Sequence, residues 1–205
     1  MDIKKLKQIA QIIINMSKDQ DMVSIAIAGP PGSGKSTIGD KLQKIIGPKS
    51  CLIPMDGFHL DNTILDNRGL LSVKGSPETF DLRNFSILID KLKLKQTQSF
   101  PTFDRDADAV IADGGNVGNH VSILIFEGNY LLFDEEGWAE LAYKWDSAIW
   151  LDVSLDVIED RLIKRWIDQG FTKNKALERF KFNDLKNAKR ILNNTLPCRW
   201  ILENS

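Results

Sequence analysis

Gly29-Pro30-Pro31-Gly32-Ser33-Gly34-Lys35-Ser36 has the residue types and spacing to hold a polyphosphate, and matches G-x-x-x-x-G-K-[ST] in full. Glycines reach backbone angles that other residues resist, and they let main-chain N–H groups turn toward phosphate oxygens. Lys35 is placed to reach the β- and γ-phosphates, and the Ser36 hydroxyl to ligate Mg²⁺. Gly29 through Ser36, with Thr37 behind them, are therefore the nucleotide-binding candidates, and ATP with Mg²⁺ the implied cofactors. Lys35 is also a candidate for the chemistry itself.

A phosphate loop establishes nucleotide binding but not the use made of the γ-phosphate. A guanine-reading Asn-Lys-x-Asp is absent, since Asn174-Lys175 runs on into Ala176-Leu177. A transporter signature of the Ser-Gly-Gly-Gln type is absent too. Phosphoryl transfer to a hydroxyl needs a group that orients the nucleophile and positive charge around the transferring phosphoryl group. Asp56, in Met55-Asp56-Gly57-Phe58-His59, follows a short apolar run and suits the first role. Glu127 closes another apolar run and suits Mg²⁺, held through water. Arg161 and Arg165 are four apart, on one face of a predicted helix, and suit the second role. His59 is either a substrate contact or a structural histidine, whereas His120 reads as structural.

These residues need a scaffold that gathers them. Val23–Ala28 reads as a buried strand feeding the glycine loop, and 35–46 as the helix after it. Further strands are predicted at 50–54, 121–126 and 147–153, with a last short one at 199–202. Helices are predicted at the N-terminus and over 83–94, 135–144, 155–169 and 173–193, with Asp81 as an N-cap. Strand and helix alternate, so the expected class is α/β with a parallel sheet. Ligands on such sheets bind beyond the carboxyl ends of the strands, where Asp56 would lie. The polar stretch 56–80 and the Asp/Gly-rich stretch 104–119 lack periodicity, and the second is expected to be a small hairpin or loop over the sheet.

Composition sets outer bounds. A chain of 205 residues fits one domain over 1–205. A net charge of −1 offers no basic excess for nucleic acid. Two distant cysteines, Cys51 and Cys198, make no disulfide framework. The apolar N-terminal run is interrupted by Gln11 and reads as an amphipathic helix, not a signal peptide, and no run is long enough to span a membrane. A soluble cytoplasmic protein without a membrane or nucleic-acid partner is expected. The tryptophans leave a homodimer open.

Several strings together resemble the phosphoribulokinase/uridine kinase superfamily of P-loop kinases, in particular its compact bacterial members, with type I pantothenate kinases nearby. They are the phosphate loop, Met55 to His59, Arg68-Gly69-Leu70, Lys74 to Asp81, Pro101 to Arg105, Phe126 to Leu132, Arg161 to Trp166 and Asn183 to Ala188. The resemblance implies a P-loop NTPase fold: a five-stranded parallel sheet with helices on both faces and a helical lid near 161–175. It also implies an ATP-dependent kinase acting on a hydroxyl of a small metabolite such as a sugar, a nucleoside or a pantothenate-like compound. The family's catalytic aspartate falls on Asp56, and its acceptor segments cover Lys74, Glu78, Asp104 and Arg105, with Arg68 in a neighbouring motif. Uridine kinases carry Tyr-Asp-Phe and a later His where this chain has Phe103-Asp104-Arg105-Asp106. The competing expectation is an ATPase or nucleotide-sensing regulator that keeps the kinase fold.

Overall fold

The computed structural model describes residues 2–205. Helix α1 (Ile3–Met16) starts where the Asp2 carboxylate accepts the Lys4 and Lys5 amides, which would otherwise lack partners. Strand β1 (Val23–Ala28) is buried along its whole length and runs through the glycine loop into α2 (Lys35–Ile46). Strand β2 (Ser50–Pro54) follows, then a stretch of short turns that includes α3 (Asn62–Asn67), then α4 (Leu82–Lys93). Asp81 caps α4 by accepting the Asn84 amide at 3.0 Å, as expected.

Strands β3 (Ser99–Asp104) and β4 (Ala109–Asn116) form an antiparallel hairpin separate from the main sheet. The chain returns to the sheet with β5 (Ile123–Gly128) and β6 (Ser147–Asp152). Helices α5 (Leu155–Asp168), α6 (Lys173–Arg179) and α7 (Leu185–Asn193) lead to β7 (Trp200–Glu203).

The main sheet has five parallel strands in the order β2-β5-β1-β6-β7. Successive residues of a strand point to opposite faces. On β1, Val23, Ile25 and Ile27 join one core with α1 and α2. Ala26 and Ala28 face the other core, where Phe85 of α4, Phe126, Tyr130 and Ile191 of α7 supply the bulk. Helices thus cover both faces, as a parallel sheet requires. A third, smaller core of Val153, Ile158, Leu162, Phe180 and Ala188 holds α5 against α7 and the turn at Phe180.

Three element boundaries depart from expectation. The strand expected at 121–126 runs from Ile123 to Gly128, in register with Val23–Ala28 of β1. The helix expected at 135–144 is a 3-10 helix over Ala139–Lys144. Three residues per turn bring Trp138 and Leu141 onto one buried face, which an α-helix would skew. The helix expected at 173–193 is divided by a π-type turn at Phe180–Asp184. Phe180 and Asp184, at its two ends, are both buried. Trp138 and Trp150 belong to the core. Cys51 and Cys198 are free, and burial pushes the Cys51 thiol up to about 11.

Candidate active site

Strand register decides where the chemistry gathers. Glu127 lies level with Ile27 on β1 and with Pro54 on β2. Glu127, at that level, and the phosphate loop and Asp56, each starting two residues past it, therefore gather at one carboxyl edge. A cleft of about 780 Å³ lies there.

Gly34 sits at φ +90° as the N-cap of α2, and a Cβ there would also strike the Asn204 amide. The Lys35 ammonium donates to the Pro30 carbonyl at 2.9 Å and lies almost wholly inside the protein. Burial pushes it down to about 8, against the pull of Glu127 and Asp56 in the other direction. Ser36 Oγ donates to Glu127 Oε1 at 2.9 Å. The Glu127 carboxyl is buried, and burial together with neighbouring Asp56 raises it above the ordinary carboxylate range. A hydroxyl and a buried, under-compensated carboxylate beside a phosphate loop fit a hard divalent cation that keeps its remaining ligands as phosphate oxygens and water.

The two arginines of α5 diverge. Arg161 donates to the Gly32 carbonyl at 3.2 Å and to the Asn204 carbonyl at 2.8 Å. Asn204 in turn donates its side-chain amide to the Ser33 carbonyl at 2.7 Å. Arg161 thus grips the phosphate loop's outward carbonyls, which makes it a positioning residue for the loop. Arg165 lines the cleft and stacks on Trp166 at 5.1 Å, and its buried Nε has no protein partner among the described residues. Burial and the charge of Arg105 both lower its proton affinity.

Across the cleft, Asp56 sits in a 3-10 turn over Met55–Phe58. The hairpin lies on this turn: a Cβ on Gly57 would overlap the Pro101 carbonyl, so only glycine permits the approach. The hairpin delivers Arg105, whose Nη2 reaches Asp56 Oδ2 at 2.5 Å. His59 Nδ1–H donates to the Asp56 carbonyl at 2.8 Å, and its ring packs on Phe80 and Phe103. Burial lowers the imidazole's proton affinity, which favours the neutral ring. Lys74 donates to Asn62 Oδ1 at 2.7 Å and to Asp108 Oδ1 at 2.8 Å, above the face of Phe103. Its carbonyl accepts from Asn183, which is braced by Asn187.

The structure therefore brings Lys35, Ser36, Thr37, Asp56, His59, Lys74, Arg105, Glu127, Arg161 and Arg165 to one cleft. It places three expected acceptor residues outside the cleft lining. Arg68 is exposed at the end of α3. Glu78 pairs with Arg190 at 2.6 Å on the outer surface. Asp104 accepts the Asp106 and Ala107 amides and shapes the hairpin turn. Sequence reasoning missed Asn62, Asp108, Arg179 and Asn204. No local signal marks Asp108, which reaches Lys74 only once the hairpin folds over α3.

The phosphoribulokinase/uridine kinase family model matches residues 24–188, most of the chain. The chain belongs to this family. Among solved structures, this family member is similar to a Silicibacter sp. TM1040 protein provisionally named a fructose transport system kinase. The TM-score is 0.90 and the identity 40%, over 96% of this chain and 98% of that one. It is similar to YggC of Escherichia coli K12, 32% identical over 87% of this chain and 76% of that protein. It also resembles the ATP-dependent kinase YFH7 of Vanderwaltozyma polyspora, 30% identical over 72% of this chain and 54% of that longer protein. A P-loop kinase fold and nucleotide use follow for this phosphoribulokinase/uridine kinase family member.

Proposed function

We propose that this protein is an ATP- and Mg²⁺-dependent kinase that transfers the γ-phosphate to a hydroxyl of a small metabolite. The observation that carries the reading is the shared cleft: Asp56 faces the same space as Lys35 and the Ser36–Glu127 pair. Main-chain amides of the phosphate loop and the Lys35 ammonium hold the β- and γ-phosphates. Ser36 and Glu127 would hold Mg²⁺, which neutralises charge on the phosphates and fixes their geometry when bound. Asp56 takes the proton of the acceptor hydroxyl as its oxygen bonds to the γ-phosphorus. The bond from that phosphorus to the β,γ-bridging oxygen breaks, ADP carries away the electron pair, and Asp56 returns the proton to water. Arg165 and Lys35 face the charge on the transferring group.

The kinase name of YFH7 supports ATP as donor. The test is ATP turnover with Mg²⁺ against sugars, nucleosides, hydroxy acids and pantothenate, with products weighed by mass spectrometry. Stimulation by one compound with its phosphorylated product establishes the kinase. Slow turnover, indifferent to every compound and yielding only free phosphate, would reject it.

A further inference from the structure

In the proposed reaction Arg165 meets a charge that exists only during transfer. A guanidinium tied to protein acceptors would have to break those bonds to meet it. The buried Arg165 Nε has no protein partner among the described residues. What holds the side chain is a face: its guanidinium carbon lies 5.1 Å from the centroid of the Trp166 ring. Stacking on an indole restrains a planar guanidinium and leaves its in-plane donors free.

The ring is itself fixed. Trp166 Nε1–H donates to Asp184 Oδ2 at 2.7 Å, which links α5 to the last residue of the π-type turn. A carboxylate acceptor makes this a charge-assisted bond, stronger than one to a neutral acceptor. It also pushes electron density into the indole and deepens the negative face that guanidinium groups seek. Arg179 of α6 lies on the same ring at 4.2 Å, and Phe171 meets it edge-on at 5.7 Å. The anchor belongs to a fixed wall, since neighbouring Asn183 donates to the Lys74 carbonyl.

Asp184 is an expensive choice if its task is only to hold a tryptophan. Burial pushes its carboxyl up, while the indole N–H and the charges of Arg165 and Arg179 pull against burial. A neutral acceptor would hold the indole without that desolvation. The carboxylate makes sense where it serves the cations stacked on the ring.

We propose that Asp184 is a positioning residue for phosphoryl transfer: it fixes the Trp166 ring, and the ring holds Arg165 toward the transferring group with its donors free. This deepens the kinase reading and rests on it for the role of Arg165.

Mg²⁺-ADP with aluminium fluoride mimics the transferring phosphoryl group and needs no acceptor. Isothermal titration of ADP with and without the fluoride complex gives a ratio of affinities that isolates contacts to that group. The wild type should bind ADP more tightly with the complex. Arg165→Met should reduce the ratio roughly tenfold or more, the size expected for a charged hydrogen bond. Trp166→Leu and Asp184→Leu should each reduce it about threefold to tenfold, with affinity for Mg²⁺-ADP alone unchanged. A merely structural role would change both affinities together. Trp166→Leu added to Arg165→Met should have no further effect, because the ring acts through the arginine. Asp184→Asn, whose amide oxygen still accepts the indole N–H, should recover most of the ratio. If the leucine variants melt early, Trp166→Phe carries the test: it keeps an aromatic face, loses the bond to Asp184, and should still reduce the ratio about threefold. No tightening in the wild type, a full ratio in Arg165→Met or in the Trp166 variants, additive losses in the double variant, or an Asp184→Asn no better than Asp184→Leu overturns the inference. Failure of the kinase reading looks different: the ratio still depends on these residues, but no compound in the acceptor panel yields a phosphorylated product.

Discussion

At the scale of single residues, the division of labour between Asp56 and Lys35 makes separable predictions. Asp56→Asn keeps the shape of the turn and a hydrogen-bonding side chain, but cannot accept the hydroxyl proton. ATP affinity should stay nearly the same while turnover falls by about 10²–10⁴-fold, the usual worth of a positioned base. Titration of nucleotide binding beside steady-state rates would separate the two effects, and full transfer in this variant would remove Asp56 from the mechanism. Lys35 makes a prediction in pH. Its folded value of about 8 lies below the usual value of 10.5, so folding penalises the charged form. The penalty is complete below about pH 8 and is relieved as pH rises toward the unfolded value. The metal- and nucleotide-free wild type should therefore gain stability relative to Lys35→Met as pH rises from 7.5 to 9.5. Paired melting curves read this directly, and a constant difference would contradict it.

At the scale of elements, legibility follows locality. The strand, loop and helix around Lys35 were legible because each is dictated by neighbours in sequence: an apolar run, glycines, then helical spacing of Ile38 and Leu42. The Asp81 cap was legible for the same reason. Asp56 and Glu127 could be placed because strand ends on a parallel sheet share an edge. The acceptor side was less legible, since its partners meet by tertiary folding. Glu78 sits inside a family-like segment yet turns outward to Arg190, and Asp108 lies in the expected hairpin stretch with no mark of its own yet holds Lys74. The contacts of Arg161 with the phosphate loop are hidden for a similar reason. Its helical spacing with Arg165 was right, but the spacing could not reveal that β7 brings Asn204 beside it. That contact predicts a function for the last strand. Asn204→Ala removes the amide that holds the Ser33 carbonyl and loosens the phosphate loop without touching Asp56. KM for ATP should rise about threefold to tenfold, the worth of one ordinary hydrogen bond, with kcat much less affected. Equal losses in kcat and kcat/KM would place the effect on the transition state instead.

At the scale of the whole molecule, the three cores divide the cleft's walls. The two large cores fix the phosphate loop, Glu127 and Asp56 to the sheet, while the small core fixes Arg161, Arg165 and the π-type turn to each other. A nucleotide seated on the loop touches both bodies, since Arg161 and Arg165 share the cleft with Lys35. Its binding energy is then felt by the cooperative unit and not by one loop. A ligand that binds only the folded state at 100 times its Kd adds about 2.7 kcal/mol. For a chain of this size that corresponds to a rise in melting temperature of about 5–10 °C. Mg²⁺-ATP should produce such a shift in the wild type, and a smaller one without Mg²⁺, because Ser36 and Glu127 then have no ion through which to hold the phosphates. Lys35→Met should lose most of the shift while melting at or above the wild-type temperature at pH 7 without ligand, since it removes a buried ammonium that folding penalises. Differential scanning calorimetry with and without nucleotide decides the matter. A variant that keeps the full shift would mean that the phosphates rest elsewhere than on the Lys35 loop.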